Sequence, residues 1–330
     1  MRARAVRFLA PYQVAVDEVP LRGPERGEVL VRTEFSGIST GTELLAYRGE
    51  LDPRLPLDET LGSLGGTFAY PFTYGYSAVG SVERSRGSIR EGSLVFAFHP
   101  HQDLFVVSEE DVVLLDAEDP RRATLLPLVE AALQACLDAA PRLDDAVVVV
   151  GLGCMGALTA ALLVRAGARV IGSEPREQRR QAAARLGVAA VAPERLPEAV
   201  AEATGGRGVA LLVEATGNPE VLADGLRLLA HEGTALVCSW YGTKTAPLPL
   251  GAEFHRRRLV IRSSQVSSIP SELAGAWNRR RRREAARRLL SELPVDVLAT
   301  HEFPFDRAPD AYAAVADGEP GLIHAALRYG

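Results

Sequence analysis

Residues 144–166, DDAVVVVGLGCMGALTAALLVRA, decide how the chain is read. Two aspartates precede the valine run Val147–Val150, glycines stand at 151, 153 and 156, and an Ala/Leu-rich stretch continues to Ala166. β-Branched residues suit a pleated strand while alanine and leucine favour helix, so the predicted order is strand, turn, helix. Ala146–Val164 carries no charge over nineteen residues, long enough for a membrane span, but its central glycines assign it to a buried strand and helix. Gly151 permits the tight turn, Gly153 lets backbone approach a pyrophosphate, and Gly156 allows close helix–strand packing. Cys154 and Met155 open the helix, whose N-terminus suits phosphate. Glu174 ends the next strand, 23 residues beyond Gly151, where it can accept hydrogen bonds from an adenosine ribose and repel a 2′-phosphate. NAD(H) is therefore expected in preference to NADP(H), with Arg176 and Arg179 working the other way.

On the N-terminal side, short alternating runs broken by Gly, Pro and Ser read as strands, among them Glu28–Glu34, Ala78–Glu83 and Leu94–Phe98. From about Pro120 the composition shifts to Ala, Leu, Val and Arg. Helical and strand patterns then alternate: Ala123–Ala140, Val147–Val150, Met155–Ala166, Arg169–Ile171, Arg176–Leu186, Ala210–Glu214, Val221–Leu229, Thr234–Cys238 and Leu259–Ser263. That rhythm implies a parallel sheet with crossover helices. After an Arg-rich helix, Val295–Phe303 returns to strand character, followed by a short helix at Ala308–Ala316 and a last strand at Ile323–Arg328. The expected organisation is α/β: a β-rich domain over 1–119 plus 295–330, and a doubly wound parallel-sheet domain over 120–294.

Composition excludes several classes. With 330 residues, 47% hydrophobic and 24% charged, the chain can bury a core, and a net charge of −5 gives no global attraction to nucleic acid or anionic membrane. Cys136, Cys154 and Cys238 are too few for a four-cysteine zinc lobe and fit reduced thiols. The start, MRARAVRFLAPY, lacks an apolar signal region, so a cytoplasmic location is expected.

The glycine fingerprint in mid-chain, the β-rich region before it, and the segments FSGISTGTE (35–43), YGYSAVG (74–80), TGGRGV (204–209) and EATG (214–217) together resemble the medium-chain dehydrogenase/reductase superfamily, which contains the zinc alcohol dehydrogenases. The resemblance runs nearly end to end. It implies a GroES-like catalytic domain beside a Rossmann domain, cofactor contacts at Thr216, Gly217 and Ser239, and a homodimer acting on a small molecule. Where zinc-dependent members carry Gly-x-Cys, this chain has Gly37-Ile38-Ser39, and where they carry Gly-His-Glu it has Gly75-Tyr76-Ser77. Hydroxyls bind Zn²⁺ poorly at neutral pH, so no metal is expected. The string from Ser36 to Glu43 is similar to that of the bacteriochlorophyllide a dehydrogenase group, a zinc-free branch, which implies interconversion of a secondary alcohol and a ketone.

Without a metal, hydrogen-bond donors must polarise the substrate C–O bond. Tyr76 stands where a zinc-binding imidazole stands in relatives and either donates to the substrate or fills the vacated space. Ser39 and Thr42 share a loop, Thr42 resembling the family hydroxyl that relays a proton, whereas the usual histidine three positions on is Leu45. His99, in the pair His99-Pro100-His101, is a candidate proton exchanger, and Glu130 resembles a family acidic residue near the metal. Trp240, Tyr241 and the Ser263-Ser264-Gln265 run are expected pocket walls or packing. Seven arginines between Arg279 and Arg288 form either a solvated helix face or an anion-binding patch. Two other functions compete with alcohol oxidation: a quinone or enoyl reductase on the same fold, and a silent dinucleotide-sensing or nucleic-acid-binding protein using the Arg helix.

Overall fold

The computed structural model describes residues 1–115 and 119–330. They divide into two compact units, Met1–Pro127 with Ala299–Gly330, and Leu128–Leu298. The helix expected over Ala123–Ala140 runs over Leu126–Ala139 and is preceded by a separate short helix. A short helix, Pro120–Ala123, is capped by the Asp119 carboxylate, which accepts from the Arg121 and Arg122 N–H groups. The Thr124 hydroxyl then donates back to Arg121 O at 2.6 Å, and a second helix runs over Leu126–Ala139. Pro127 explains that start, because proline has no N–H and is tolerated only in a helix's first turn. Thr124 O accepts from Ser77 Oγ at 2.7 Å, which ties the short helix to the first unit.

In that first unit one sheet runs in the order 301–304, 325–328, 28–38, 78–85, 94–97, 112–114, with 104–108 also pairing 28–38, and a second runs 13–20, 2–10, 72–73. Pairing is antiparallel except between the two C-terminal strands. The last strand pairs with 28–38, Ala325 lying opposite Ile38, so the C-terminal segment closes the sheet that carries Ser36 to Ile38. Strand character over 295–303 is shorter than expected. Residues 295–297 form a 3₁₀ turn after Pro294, and the strand begins at His301. An aromatic and aliphatic core of Phe8, Tyr47, Phe68, Phe72, Tyr74 and Tyr312 underlies the loop from Ser39 to Thr42 and the helix Thr42–Arg48.

The second unit is a wholly parallel six-stranded sheet. Numbered in chain order, its strands stand 3-2-1-4-5-6, the doubly wound order that places a ligand crevice at the carboxyl ends around strand 1. Strand 1 is Ala146–Val150, and Val150 is in register with Ser173 on one side and Glu214 on the other. Gly151, Glu174 and Ala215 therefore emerge together. The helix expected over 221–229 starts earlier, at Pro219 behind the Asn218 cap, and ends at Gly225, and the strand expected over 234–238 begins at Leu229. Among the described residues no helix is long and apolar enough to cross a membrane, and 146–164 divides into strand and helix.

Candidate active site

In the parallel-sheet unit the glycine loop is fixed by close backbone approach. Gly151 has φ +85, and a Cβ there would lie 2.8 Å from Ala215 O; at Gly156 it would lie 1.8 Å from Gly151 O. No side chain fits at 156 without moving the turn. Gly153 caps the helix Cys154–Arg165 through its backbone alone, and Met155 occupies the first turn. The Cys154 thiol is buried, and burial pushes it up to about 12, so it packs as a neutral group. Glu174, 3% exposed, accepts from the Leu152 N–H at 3.0 Å and the Arg176 N–H at 3.1 Å, with Arg179 Nη1 at 3.8 Å. Its carboxylate thus braces the glycine loop and retains unused lone pairs.

A second buried carboxylate, Glu214, organises the neighbouring turn. Thr216 donates to it from both N–H and hydroxyl, and Tyr241 donates its hydroxyl to Oε2 at 2.7 Å. Burial, followed by this bond, pushes the Tyr241 phenol up. Ser239 Oγ accepts from Gly217 N–H at 2.8 Å, and Lys244 Nζ donates to Gly217 O at 3.2 Å. Thr216, Gly217 and Ser239 are thereby brought together with Gly151. Trp240 is 42% exposed.

In the antiparallel unit the candidate hydroxyls converge. The Ser39 and Thr42 side chains lie near enough to the Tyr76 phenol to favour its ionised form slightly, but burial first, and then the charge of Glu43, outweigh them and push it up to about 12. Thr42 does not cap its helix, since Gly41 occupies that position. Behind the three hydroxyls lies a network that sequence reasoning did not single out. Glu43, fully buried, accepts at Oε1 from the Ser39 N–H, 2.9 Å, and at Oε2 from Tyr312 OH and from His101 Nε2, 2.8 Å. His101 Nδ1 meets Ser36 Oγ at 2.7 Å, and Ser36 Oγ meets Tyr329 OH at 2.8 Å. The available signal was Glu43 itself, a lone carboxylate in the otherwise largely apolar helix TELLAYR. Of its partners, Ser39 and His101 carried a sequence signal of their own, whereas Tyr312, 269 residues away, had none.

His99 stacks on Phe105 with ring centroids 4.1 Å apart, and its Nδ1 lies 3.1 Å from Pro100 O. Burial lowers it to about 4, so it is neutral at pH 7. Glu130, in the parallel-sheet unit, is 2% exposed and meets Arg282 Nε at 3.0 Å and Arg283 Nε at 3.6 Å. Gln134 also accepts from Arg282. The Arg-rich helix, Arg279–Glu292, thus turns Arg282 inward, while Arg281 lies over the Trp277 ring at 4.4 Å and Arg280 pairs with Glu284 at 3.0 Å. Several of its charges are spent inside the unit.

Among the described residues no three His, Cys, Asp or Glu side chains converge as metal ligands. Ser39 and Tyr76 offer only hydroxyls, and the neighbouring carboxylate, Glu43, is taken by a backbone N–H, a phenol and an imidazole. That donor set does not suit Zn²⁺.

Residues 151–280 match the model of the family described as zinc-binding dehydrogenase. The chain is 27% identical to D-guloside 3-dehydrogenase of Escherichia coli, over 94% of this chain and 95% of that protein. It is 26% identical to 2-desacetyl-2-hydroxyethyl bacteriochlorophyllide A dehydrogenase of Cereibacter sphaeroides, over 100% and 99%. Its fold is similar to the crystal structure of 2R,3R-butanediol dehydrogenase from Bacillus subtilis, with a TM-score of 0.80, 20% identity and 99% of each chain covered.

Proposed function

We propose that this chain, a medium-chain dehydrogenase/reductase with a zinc-binding dehydrogenase segment over 151–280, is a zinc-independent oxidoreductase interconverting a secondary alcohol and its ketone, with NAD(H) preferred. The observation that carries the reading is the hydroxyl cluster. The Ser39 and Thr42 side chains lie beside the Tyr76 phenol, and a phenol pushed up to about 12 keeps its proton at neutral pH and can donate it to an acceptor. That acceptor is the substrate oxygen. The resemblance to dehydrogenases named for a guloside and for a hydroxyethyl pigment supports an alcohol as substrate.

The nicotinamide, when bound, exchanges a hydride with the carbinol carbon. Everything else falls to this chain. Gly151, Gly153 and Gly156 with the N-terminus at Cys154 and Met155 take the pyrophosphate, Glu174 takes the ribose, and Thr216, Gly217 and Ser239 form the adjoining shelf. Arg179 neutralises part of Glu174. Tyr76 holds the substrate oxygen, with its proton retained at neutral pH because the phenol stands near 12. In reduction it stabilises the charge growing on that oxygen, and the proton that completes the alcohol comes from solvent. In oxidation the alcohol proton returns to solvent, Thr42 and Ser39 serving only to relay it, each giving up one proton as it accepts another. His99, neutral at pH 7, can line the site but does not exchange the proton. Glu130 holds Arg282 and Arg283. The Arg helix calls for no nucleic-acid partner.

The test is turnover of NAD⁺ and NADP⁺ against glycosides, polyols and aryl-substituted secondary alcohols, run on protein whose zinc content has been measured. The expected result is NAD⁺ reduction with well under one zinc per chain. One tightly held zinc per chain, or turnover confined to quinones and enones with NADPH, contradicts the reading.

A further inference from the structure

We infer that Glu43 and His101 form a positioning clamp that sets the spacing between the loop carrying Ser39 and Thr42 and the loop carrying Tyr76. The inference rests on the reaction assigned above to those hydroxyls. Each loop is held by one arm. Glu43 Oε1 takes the Ser39 N–H, which fixes the first loop. Glu43 Oε2 takes His101 Nε2, and the His101 ring lies directly against Gly75, where a Cβ would sit 2.6 Å from Cδ2. The His101 N–H also bonds Tyr74 O at 3.3 Å, so histidine backbone and ring flank the residue before Tyr76 from two sides. Gly75 has φ +110, a conformation that leaves room for the imidazole and turns the chain toward Tyr76.

The clamp is fully buried, with His101 and Glu43 both without solvent exposure. A carboxylate there is tolerated because it receives three hydrogen bonds, and those bonds are charge-assisted and directional. Two hydroxyl-bearing loops 37 residues apart in sequence could otherwise drift independently. A small displacement of Tyr76 from Ser39 would cost rate without costing the fold. Glu43 and His101 are positioning residues and touch no substrate.

The test combines hydrogen exchange at the Ser39 amide with kinetics, in Glu43→Gln, Gly75→Ala and the comparator Tyr329→Phe. Tyr329→Phe deletes a hydrogen bond to Ser36 at the far end of the network and should lower Tm while leaving Ser39 exchange within about twofold of the parent, as expected for a neutral bond outside the clamp. In Glu43→Gln a neutral acceptor replaces a charged one, so Ser39 exchange should rise about tenfold and kcat fall by a similar factor with cofactor affinity unchanged. Gly75→Ala pushes on the clamp from its other end. It should also speed Ser39 exchange, although residue 75 does not touch Ser39, and it serves if Glu43→Gln fails to fold. Unchanged Ser39 exchange in both variants, or equal effects in Tyr329→Phe, overturns the clamp. The exchange result stands whether or not an alcohol is turned over, so it is read separately from the reaction assignment.

Discussion

The glycine loop of the parallel-sheet unit and the hydroxyl cluster of the antiparallel unit hold functional groups by different means. Around Gly151 the working parts are backbone N–H groups and missing side chains, all within the consecutive strand, turn and helix of 146–165, with Glu174 and Glu214 as braces. Around Tyr76 the working parts are side chains, held by partners from five separate stretches: 36–43, 74–77, 101, 312 and 329. A site made of backbone is fixed by local geometry and fails when a side chain intrudes. One made of gathered hydroxyls is fixed by buried polar bonds and fails when a single acceptor is lost.

The largest expected effect breaks the first kind of support. Gly156→Val would put two more methyl carbons beyond a Cβ already 1.8 Å from Gly151 O, so the turn must open. NADH affinity should fall by about 10³-fold or more, since the loop is what presents donors to phosphate, and fluorescence titration checks this. Next, Glu130→Ala leaves Arg282 buried without its carboxylate and should destabilise the parallel-sheet unit by about 3–5 kcal/mol in denaturant unfolding. A loss of turnover with stability intact would instead give Glu130 a catalytic task. A smaller effect follows from Glu174→Ala, which should narrow the preference for NADH over NADPH by about tenfold, the scale of a charged hydrogen bond. An unchanged ratio would remove Glu174 from the ribose.

The smallest effect is a slope with pH in the antiparallel unit. Burial lowers both His99 and His324 to about 4, so the native state keeps them neutral while the unfolded chain takes up protons near 6.5. Their effect is absent above pH 6.5, and stability should decline as pH falls from about 6.5 toward 4. Melting temperatures at pH 7.5 and 5 measure the slope, and His324→Gln should flatten it. An identical slope in the variant would assign the loss to other groups.

The contrast also explains what could be read from sequence. The strand, glycine turn and helix of 146–165 follow a local rule, as does the placement of Glu174 at the end of the following strand, and so the fold of the parallel-sheet unit was legible. Ser39, Thr42 and Tyr76 could be named because a family pattern marks their positions, but their proximity could not, since Tyr76 lies 34 positions beyond Thr42. Glu43 stood in plain view beside Thr42. Its meaning depends on His101, supplied by the loop after the strand Leu94–Ala97, and on Tyr312, which the C-terminal helix Ala308–Asp317 brings to it. Helix starts were misjudged where a proline sits in the first turn: Pro127 goes with a start at Leu126, three residues later than expected, and Pro219 with one two residues earlier. Arg282 shows the same limit, since nothing in a run of five arginines marks which one turns inward to Glu130.

The claim on which the account depends most is that Tyr76 donates to the substrate oxygen in place of a metal. Tyr76→Phe removes one hydroxyl and keeps the ring that packs edge-on against Tyr74 at 6.2 Å. With an alcohol or ketone found by the panel described above, kcat/KM should fall by about 10²-fold or more, the scale of removing one preorganised donor, while NADH affinity and melting temperature hold. If the phenylalanine variant retains most of its kcat/KM, Tyr76 is packing, and polarisation of the substrate lies elsewhere.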